Sequence, residues 1–353
     1  MVVYLMSRLL NNPWHKGDVT PSISIVISVF NEEMVIKEKL KNTLSLEYPE
    51  ELSEIVVISD GSTDKTNEIV SEFKNPKLVL KAFPTRSGKT ACLNRVVPET
   101  RGEVILFTDA NSIFPRDVLL KLVKNFKDER VGLVTGWTKY IQPGKDVGAT
   151  GLYGKLERET KYWESLISSC VGADGALFAI KKKLYKPLMD EDINDFVIPL
   201  HVVSQGKRVV LDPKVYCFEE SLKGEKEEFR RQARITNRTL RAIFRNHNFL
   251  NPFRFGYFSF FLLSHKLLRF LVPFFAAGAF LTNLLLVNES TIYFSFAMLQ
   301  VLLIIIGITN INGKIKGKVA NFCTFFLLTL SAQISGWLRM IRGVSDIMWT
   351  PQR

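Results

Sequence analysis

Ile55-Val56-Val57-Ile58-Ser59-Asp60-Gly61-Ser62-Thr63-Asp64 decides the fold class. An apolar, β-branched run ends on a carboxylate and a turn, and a helical pattern occupies residues 64–73. A short, continuously apolar run bounded by turn residues predicts a strand buried on both faces. The same unit recurs on either side. Apolar runs stand at residues 23–30, 78–83 and 104–108, with helical stretches at 32–44, 88–96 and 116–126. Strands alternating with amphipathic helices predict a mainly parallel sheet covered on both faces, a Rossmann-like α/β fold.

Ligands of such sheets bind beyond the carboxyl ends of the strands. Those positions are polar here: Asn31-Glu32-Glu33 after the first run, Asp60 to Asp64 after the second, Asp109-Ala110-Asn111 after the fourth. Asp64 reads as a helix cap. Capping does not account for Asp109, because Pro115 sets the next helix start several residues later. A dinucleotide fold needs G-x-G-x-x-G after the first strand, and none is present. Ser87-Gly88-Lys89-Thr90 mimics the end of a P-loop, but Phe83 and Pro84 stand where the loop needs its first glycine.

Composition divides the chain in two. The 353 residues carry a net charge of +12, and from Phe255 onward Leu, Phe, Ile and Ala dominate. Three apolar segments, residues 268–287, 291–309 and 319–338, each approach the length of about 20 residues that a membrane helix needs. Residues 256–264 are shorter and read as interfacial. So do residues 1–10, either as an interfacial anchor or as the end of a spanning helix that starts upstream of Met1. Lys314, Lys316 and Lys318 favour a cytoplasmic second loop and, with it, a cytoplasmic α/β domain; the tail then lies outside despite its arginines, or the last segment is re-entrant. Cys92, Cys170, Cys217 and Cys323 are scattered, which fits a reducing compartment and buried thiols. No zinc-finger or basic-aromatic pattern supports nucleic acid as a partner, so the positive charge points to lipid or phosphate.

From about Pro21 onward the chain resembles a family 2 glycosyltransferase of the GT-A fold, in the membrane-integrated branch with cellulose, hyaluronan and poly-N-acetylglucosamine synthases. The resemblance rests on the order and spacing of the strand-end motifs, with Arg86-Ser87-Gly88-Lys89 and the later segments below. It implies that Asn31, Glu32, Glu33, Asp60 and Lys89 bind the nucleotide. It places Asp109 and Asn111 at the family's D-x-D position, holding Mg²⁺ or Mn²⁺ against the departing diphosphate. Asn111 departs from the acidic pattern and is a weaker, neutral ligand. Asp174 and Gly175, in Gly172-Ala173-Asp174-Gly175-Ala176, match the donor- and acceptor-sugar segment; a plain turn fits Asp174 equally well.

Asp195 matches the catalytic base, with Asp190, Glu191 and Asp192 as neighbouring rivals and Asn194 where the family has an acid. Residues 229–247 form a basic amphipathic helix in which Arg231 and Arg234 take the place of Q-x-x-R-W, at the diphosphate or acceptor. Ile235 replaces the family tryptophan, which weakens the case for a long processive product.

The expected layout is an apolar segment over 1–20, a cytoplasmic GT-A domain over 21–225, interfacial helices over 226–264 and about three membrane helices over 265–353. The expected activity is inverting transfer of a hexose or N-acetylhexosamine from a UDP-sugar to a carbohydrate or lipid-linked acceptor at the cytoplasmic face of a plasma or inner membrane, in contact with membrane lipids. Transfer to a polyprenyl phosphate, and an inactive nucleotide-binding membrane subunit, are the alternatives.

Overall fold

The computed structural model describes residues 2–141, 152–220, 225–311 and 317–348. Lys314 and Lys316, invoked for membrane orientation, lie outside them, as does Arg353. In chain order the helices are α1 (Val2–Leu9), α2 (Ile36–Leu44), α3 (Thr66–Glu72), α4 (Lys89–Val96), α5 (Val118–Val123), α6 (Leu152–Ile167), α7 (Asn194–Ser204), α8 (Glu225–Arg245), α9 (Pro252–Phe255), α10 (Tyr257–Phe261), α11 (Leu268–Leu285), α12 (Thr291–Thr309) and α13 (Lys318–Ile341). The strands are β1 (Ile23–Val29), β2 (Ser53–Asp60), β3 (Leu78–Phe83), β4 (Val104–Asp109), β5 (Val131–Ile141), β6 (Phe178–Lys181) and β7 (Arg208–Glu220).

The strands form one sheet in the order β3-β2-β1-β4-β6-β5-β7. β1, β2, β3 and β4 pair in parallel, as their unbroken apolar runs predict. β1 is buried at every position, which requires cover on both faces. The far half departs from that pattern. β6 pairs antiparallel to β4 and to β5, and β5 pairs in parallel with β7. All strands of the parallel half end on the same edge, so the loops after β1, β2 and β4 share it.

The first expected helix begins later than its residue pattern, at Ile36 instead of residue 32. The loop before it is held elsewhere. Asn31 adopts a left-handed φ of 51°. The Glu32 amide donates to Thr66 Oγ1 at 2.8 Å, and the Glu33 amide to Asp64 at 3.1 Å.

The chain divides into two compact units: Met1–Ser221, His247–Leu262 and Ile347–Arg353 in one, Leu222–Asn246 and Leu263–Asp346 in the other. The first holds the sheet. In the second, α8 packs on α13, where a Cβ on Gly336 would stand 2.5 Å from the Thr236 side chain. The apolar face of the amphipathic α8 is buried at Ala233, Thr236, Leu240 and Ile243, whereas Phe244 is half exposed with its ring edge-on to Trp337. Among the described residues three helices are long and apolar enough to cross a membrane: Tyr257–Leu285, Thr291–Thr309 and Lys318–Ile341. The first is a single run of 29 residues, with a π-helical stretch at Leu262–Leu267 and Pro273 inside α11.

Candidate functional site

The loops at the carboxyl edge of the parallel half grip one another through side chains. Asn31 Oδ1 accepts from the Thr63 amide at 2.8 Å, and Glu33 Oε2 from the Lys65 amide at 3.0 Å. Asp64, expected to cap α3, stands one residue before its N-cap position, Lys65, and accepts from the Thr66 amide at 3.0 Å. Asp60 is 4% exposed, and its two oxygens accept from the Ser87 amide at 2.6 Å and the Gly88 amide at 2.9 Å. Gly61 (φ 68°) makes that approach possible, since a Cβ there would stand 2.8 Å from the Arg86 amide nitrogen.

These contacts carry the loop of residues 86–89 to β4. Lys89 opens α4 and places Nζ 2.6 Å from Asp109 Oδ1 at the end of β4. Arg86 sits in the same loop with its guanidinium 3.7 Å from the Phe30 ring centre. Its Nε and Nη2 are buried without a hydrogen-bond partner among the described residues. Burial lowers its pKa, and nearby Asp60 offsets part of that effect. The buried thiol of Cys92, close under Asp60, is pushed up to about 12 by burial and by that carboxylate.

Asp195 lies in the first turn of α7 and is half-buried. Its carbonyl accepts from the Ala173 amide at 2.7 Å, and a Cβ on Gly175 would stand 3.0 Å from its Oδ2. The segment containing Asp174 and Gly175 is therefore brought onto the proposed base. Asp174 itself forms a turn: its carboxylate accepts from Thr138 Oγ1 at 2.9 Å and from the Ala176 amide at 3.1 Å. Burial raises the Asp174 pKa, nearby Lys161 works against that, and Asp195 adds to it. Lys161 is 7% exposed. Burial acts to lower its pKa, but Glu157, Asp174, Cys170 and Asp195 together leave it raised, so the ammonium stays charged.

Asn111 is exposed at the end of β4, two residues beyond Asp109. Among the described residues no group of three or more His, Cys, Asp or Glu side chains is placed to hold a metal by itself. One carboxylate with a neighbouring amide suits Mg²⁺ or Mn²⁺, which take one or two protein oxygens and complete their shell from substrate phosphate and water. The residues present fit such an ion bound together with a diphosphate. Arg231 and Arg234 lie on α8 in the second unit, where Arg231 pairs with Glu228 at 2.8 Å and burial lowers the Arg234 pKa.

Sequence reasoning singled out the strand-end residues but not Arg86, Lys161, Lys39 or Glu219 as individual site residues. Arg86 stood inside the quoted motif. No sequence signal marks Lys39, Lys161 or Glu219.

Residues 24–186 match the description Glycosyl transferase family 2. A β-monoglucosyldiacylglycerol synthase from Nostoc sp. is 39% identical over 118 residues, 32% of this chain and 25% of the relative. A poly-β-1,6-N-acetyl-D-glucosamine synthase from Staphylococcus epidermidis is 34% identical over 204 residues, 56% of this chain and 49% of the relative. The chain thus spans about a quarter to a half of the length of these curated relatives. A solved mannosyltransferase from Pyrobaculum calidifontis, in complex with GDP-Man and Mn²⁺, shares the fold with a TM-score of 0.69 at 20% identity, covering 96% of this chain and 94% of that one. Residues 24–186 are thus similar to glycosyl transferase family 2 domains, the chain shares the GT-A-like fold of the solved mannosyltransferase, and its C-terminal part holds helices long and apolar enough to span a membrane.

Proposed function

We propose that the chain transfers a hexose or N-acetylhexosamine from a UDP-sugar, with inversion, to a carbohydrate or lipid-linked acceptor at the cytoplasmic face of a membrane. The observation that carries the reading is one continuous run of contacts: Asp60 holds the amides of Ser87 and Gly88, and the next residue, Lys89, reaches Asp109. A base-recognising carboxylate, a cation and a metal-binding carboxylate stand in the order in which a nucleoside diphosphate presents its parts.

The residues divide the work as follows. Asp60 and Asn31, with the loop of residues 61–64, hold the nucleoside. Arg86, whose buried N–H groups have no hydrogen-bond partner among the described residues, donates to the nucleotide. A bound Mg²⁺ or Mn²⁺ would be held by Asp109 and Asn111 and would neutralise charge growing on the departing diphosphate. Lys89 gives up Asp109 as the donor binds and turns its ammonium to the phosphates. Asp195 takes the proton of the acceptor hydroxyl, with the buried Lys161 ammonium near enough to interact with it electrostatically. Gly175 leaves room for the acceptor beside that carboxylate.

Polysaccharide and glycolipid products are both represented among the relatives, a poly-N-acetylglucosamine synthase and a glucosyldiacylglycerol synthase. The test is a donor screen on detergent-purified protein, reading nucleotide release from UDP-glucose, UDP-N-acetylglucosamine and GDP-mannose with Mn²⁺, with and without membrane extract. Release from a UDP-sugar is expected. Release from GDP-mannose alone rejects the uridine assignment, and no release or binding with any donor rejects the reading as a whole.

A further inference from the structure

Beneath Asp109 lies a polar cluster that the proposed reaction does not use. Lys39, on α2, is fully buried. Its Nζ donates to Thr108 Oγ1 at 2.9 Å and to the Ser112 carbonyl at 2.6 Å, and stands 3.8 Å from the centre of the Phe114 ring. These contacts bracket Asp109 and Asn111, one residue before the pair and one after. From the other side, Ser112 Oγ donates to Glu219 Oε1 at 2.5 Å, near the end of β7. The neighbouring backbone is tied to the same strand, with Ile113 and Phe218 exchanging two hydrogen bonds of 2.8 Å.

Burying a lysine costs free energy that folding alone gains little from. A fold needing only to join α2 to β4 would do so with an apolar side chain. Burial drives the Lys39 ammonium down to about 7, with Cys217, Asp109 and Glu219 pulling it back up. Glu219 is driven up to about 7, by burial first and then by Asp109. Lys39 and Glu219 thus respond to each other and to Asp109, and both are hydrogen-bonded to Ser112.

We propose that Lys39 and Glu219 are positioning residues for the Asp109 carboxylate, gripping the loop of residues 109–112 from two sides through Ser112 so that its oxygen is fixed where a divalent cation is taken up. The proposal rests on the reading of Asp109 as a cation ligand. It predicts a division of effects: cation binding depends on the grip, whereas nucleotide binding through Asp60 does not.

The experiment measures Mn²⁺ binding to the full-length protein by loss of the free-ion electron paramagnetic resonance signal in the presence of UDP, and UDP binding without metal by calorimetry. Ser112→Ala removes the hydroxyl and little volume; Lys39→Met keeps the chain length and removes the charge. Each is expected to weaken Mn²⁺ binding about tenfold or more, as removal of groups behind a metal ligand does, while metal-free UDP binding stays unchanged. Glu219→Gln, which keeps a partner for Ser112, is expected to recover most of the affinity lost in Glu219→Ala. Unchanged Mn²⁺ affinity in folded Ser112→Ala overturns the proposal even where Lys39→Met fails to fold. So does equal weakening of UDP and Mn²⁺ binding, which marks a merely structural role. If the unaltered protein with UDP takes up no Mn²⁺, the cation reading itself is overturned, and the proposal with it.

Discussion

The two halves of the sheet build their polar edges by different means. In the parallel half, the carboxylates of Asp60, Asp64 and Glu33 are held by backbone amides of neighbouring loops. In the half containing β5, β6 and β7, the proton affinities of Asp174 and Glu219 are raised by burial first, with Lys161 opposing and Asp195 adding at Asp174, and with Asp109, across at the end of β4, adding at Glu219. Amides fix a shape at little electrostatic cost, which suits recognition. Burial moves proton affinities, which suits chemistry. The proposed nucleotide residues fall in the first half and the proposed base in the second.

The comparison breaks most visibly at Asp195. Asp195→Asn should reduce transfer by about 10²- to 10⁴-fold, the usual contribution of a general base, and leave UDP binding intact. Loss of UDP binding in calorimetry would move Asp195 out of the chemical half. Asp60→Asn should do the reverse, weakening UDP binding about ten- to a hundredfold through the loss of charged hydrogen bonds to the loop. Its turnover at saturating donor should stay near that of the unaltered protein; a fall in turnover alone would blur the division.

Two glycines sharpen it further. Gly61→Ala puts a methyl group against Arg86 in a left-handed backbone and should raise the donor KM several-fold, at a cost of about 1 kcal/mol or more. Gly175→Ala presses on Asp195 Oδ2 and should lower kcat with KM for the donor unchanged. Steady-state kinetics on the pair separates the halves, and the same effect from both would merge them.

The smallest effect lies away from the edge. Hydrogen bonds from Arg130 hold the Asp128 carboxyl well below the usual range, with further help from the His15 and Arg130 amides and against the effect of burial. A lowered carboxylate contributes stability that is present above its unfolded value and is lost as pH falls through the folded one. Asp128→Asn should therefore lower Tm by about 2–4 °C at pH 7, and the gap should close progressively in acid. A gap independent of pH would show that packing, not charge, is what the carboxylate supplies.

What the sequence revealed follows the same division. β1 to β4 and their strand-end residues were legible because each signal is local: an apolar run, then a polar turn within the next few residues. Asp60 and Asp109 could be picked out by position alone. Residues 131–141 and 208–220 were not read as strands. Their pairing joins segments some eighty residues apart, and β6 runs antiparallel to both β4 and β5, inserted between them. Ser112 meets Glu219 across 107 residues, and Lys39 meets Thr108 across 69. Nothing in the spacing of a lysine on a helix announces a partner so far away. The hydrogen bond that Asp64 makes just ahead of α3 was legible, but the late start of α2 was not, since the left-handed Asn31 and its contacts with the neighbouring loop carry no sequence signal.

The three membrane-length helices differ in reach. At 1.5 Å per residue, 19 residues in α12 extend about 28 Å, close to the roughly 30 Å of a bilayer's hydrocarbon interior. The run Tyr257–Leu285 extends about 43 Å and α13 about 36 Å. In a bilayer the shortest helix would match the lipid, and the longer ones would have to tilt or leave their ends among the headgroups. Bilayer thickness would thereby become a physical variable for this protein. Reconstitution into lipids of graded acyl length should locate an optimum set by α12, with thicker bilayers straining it first.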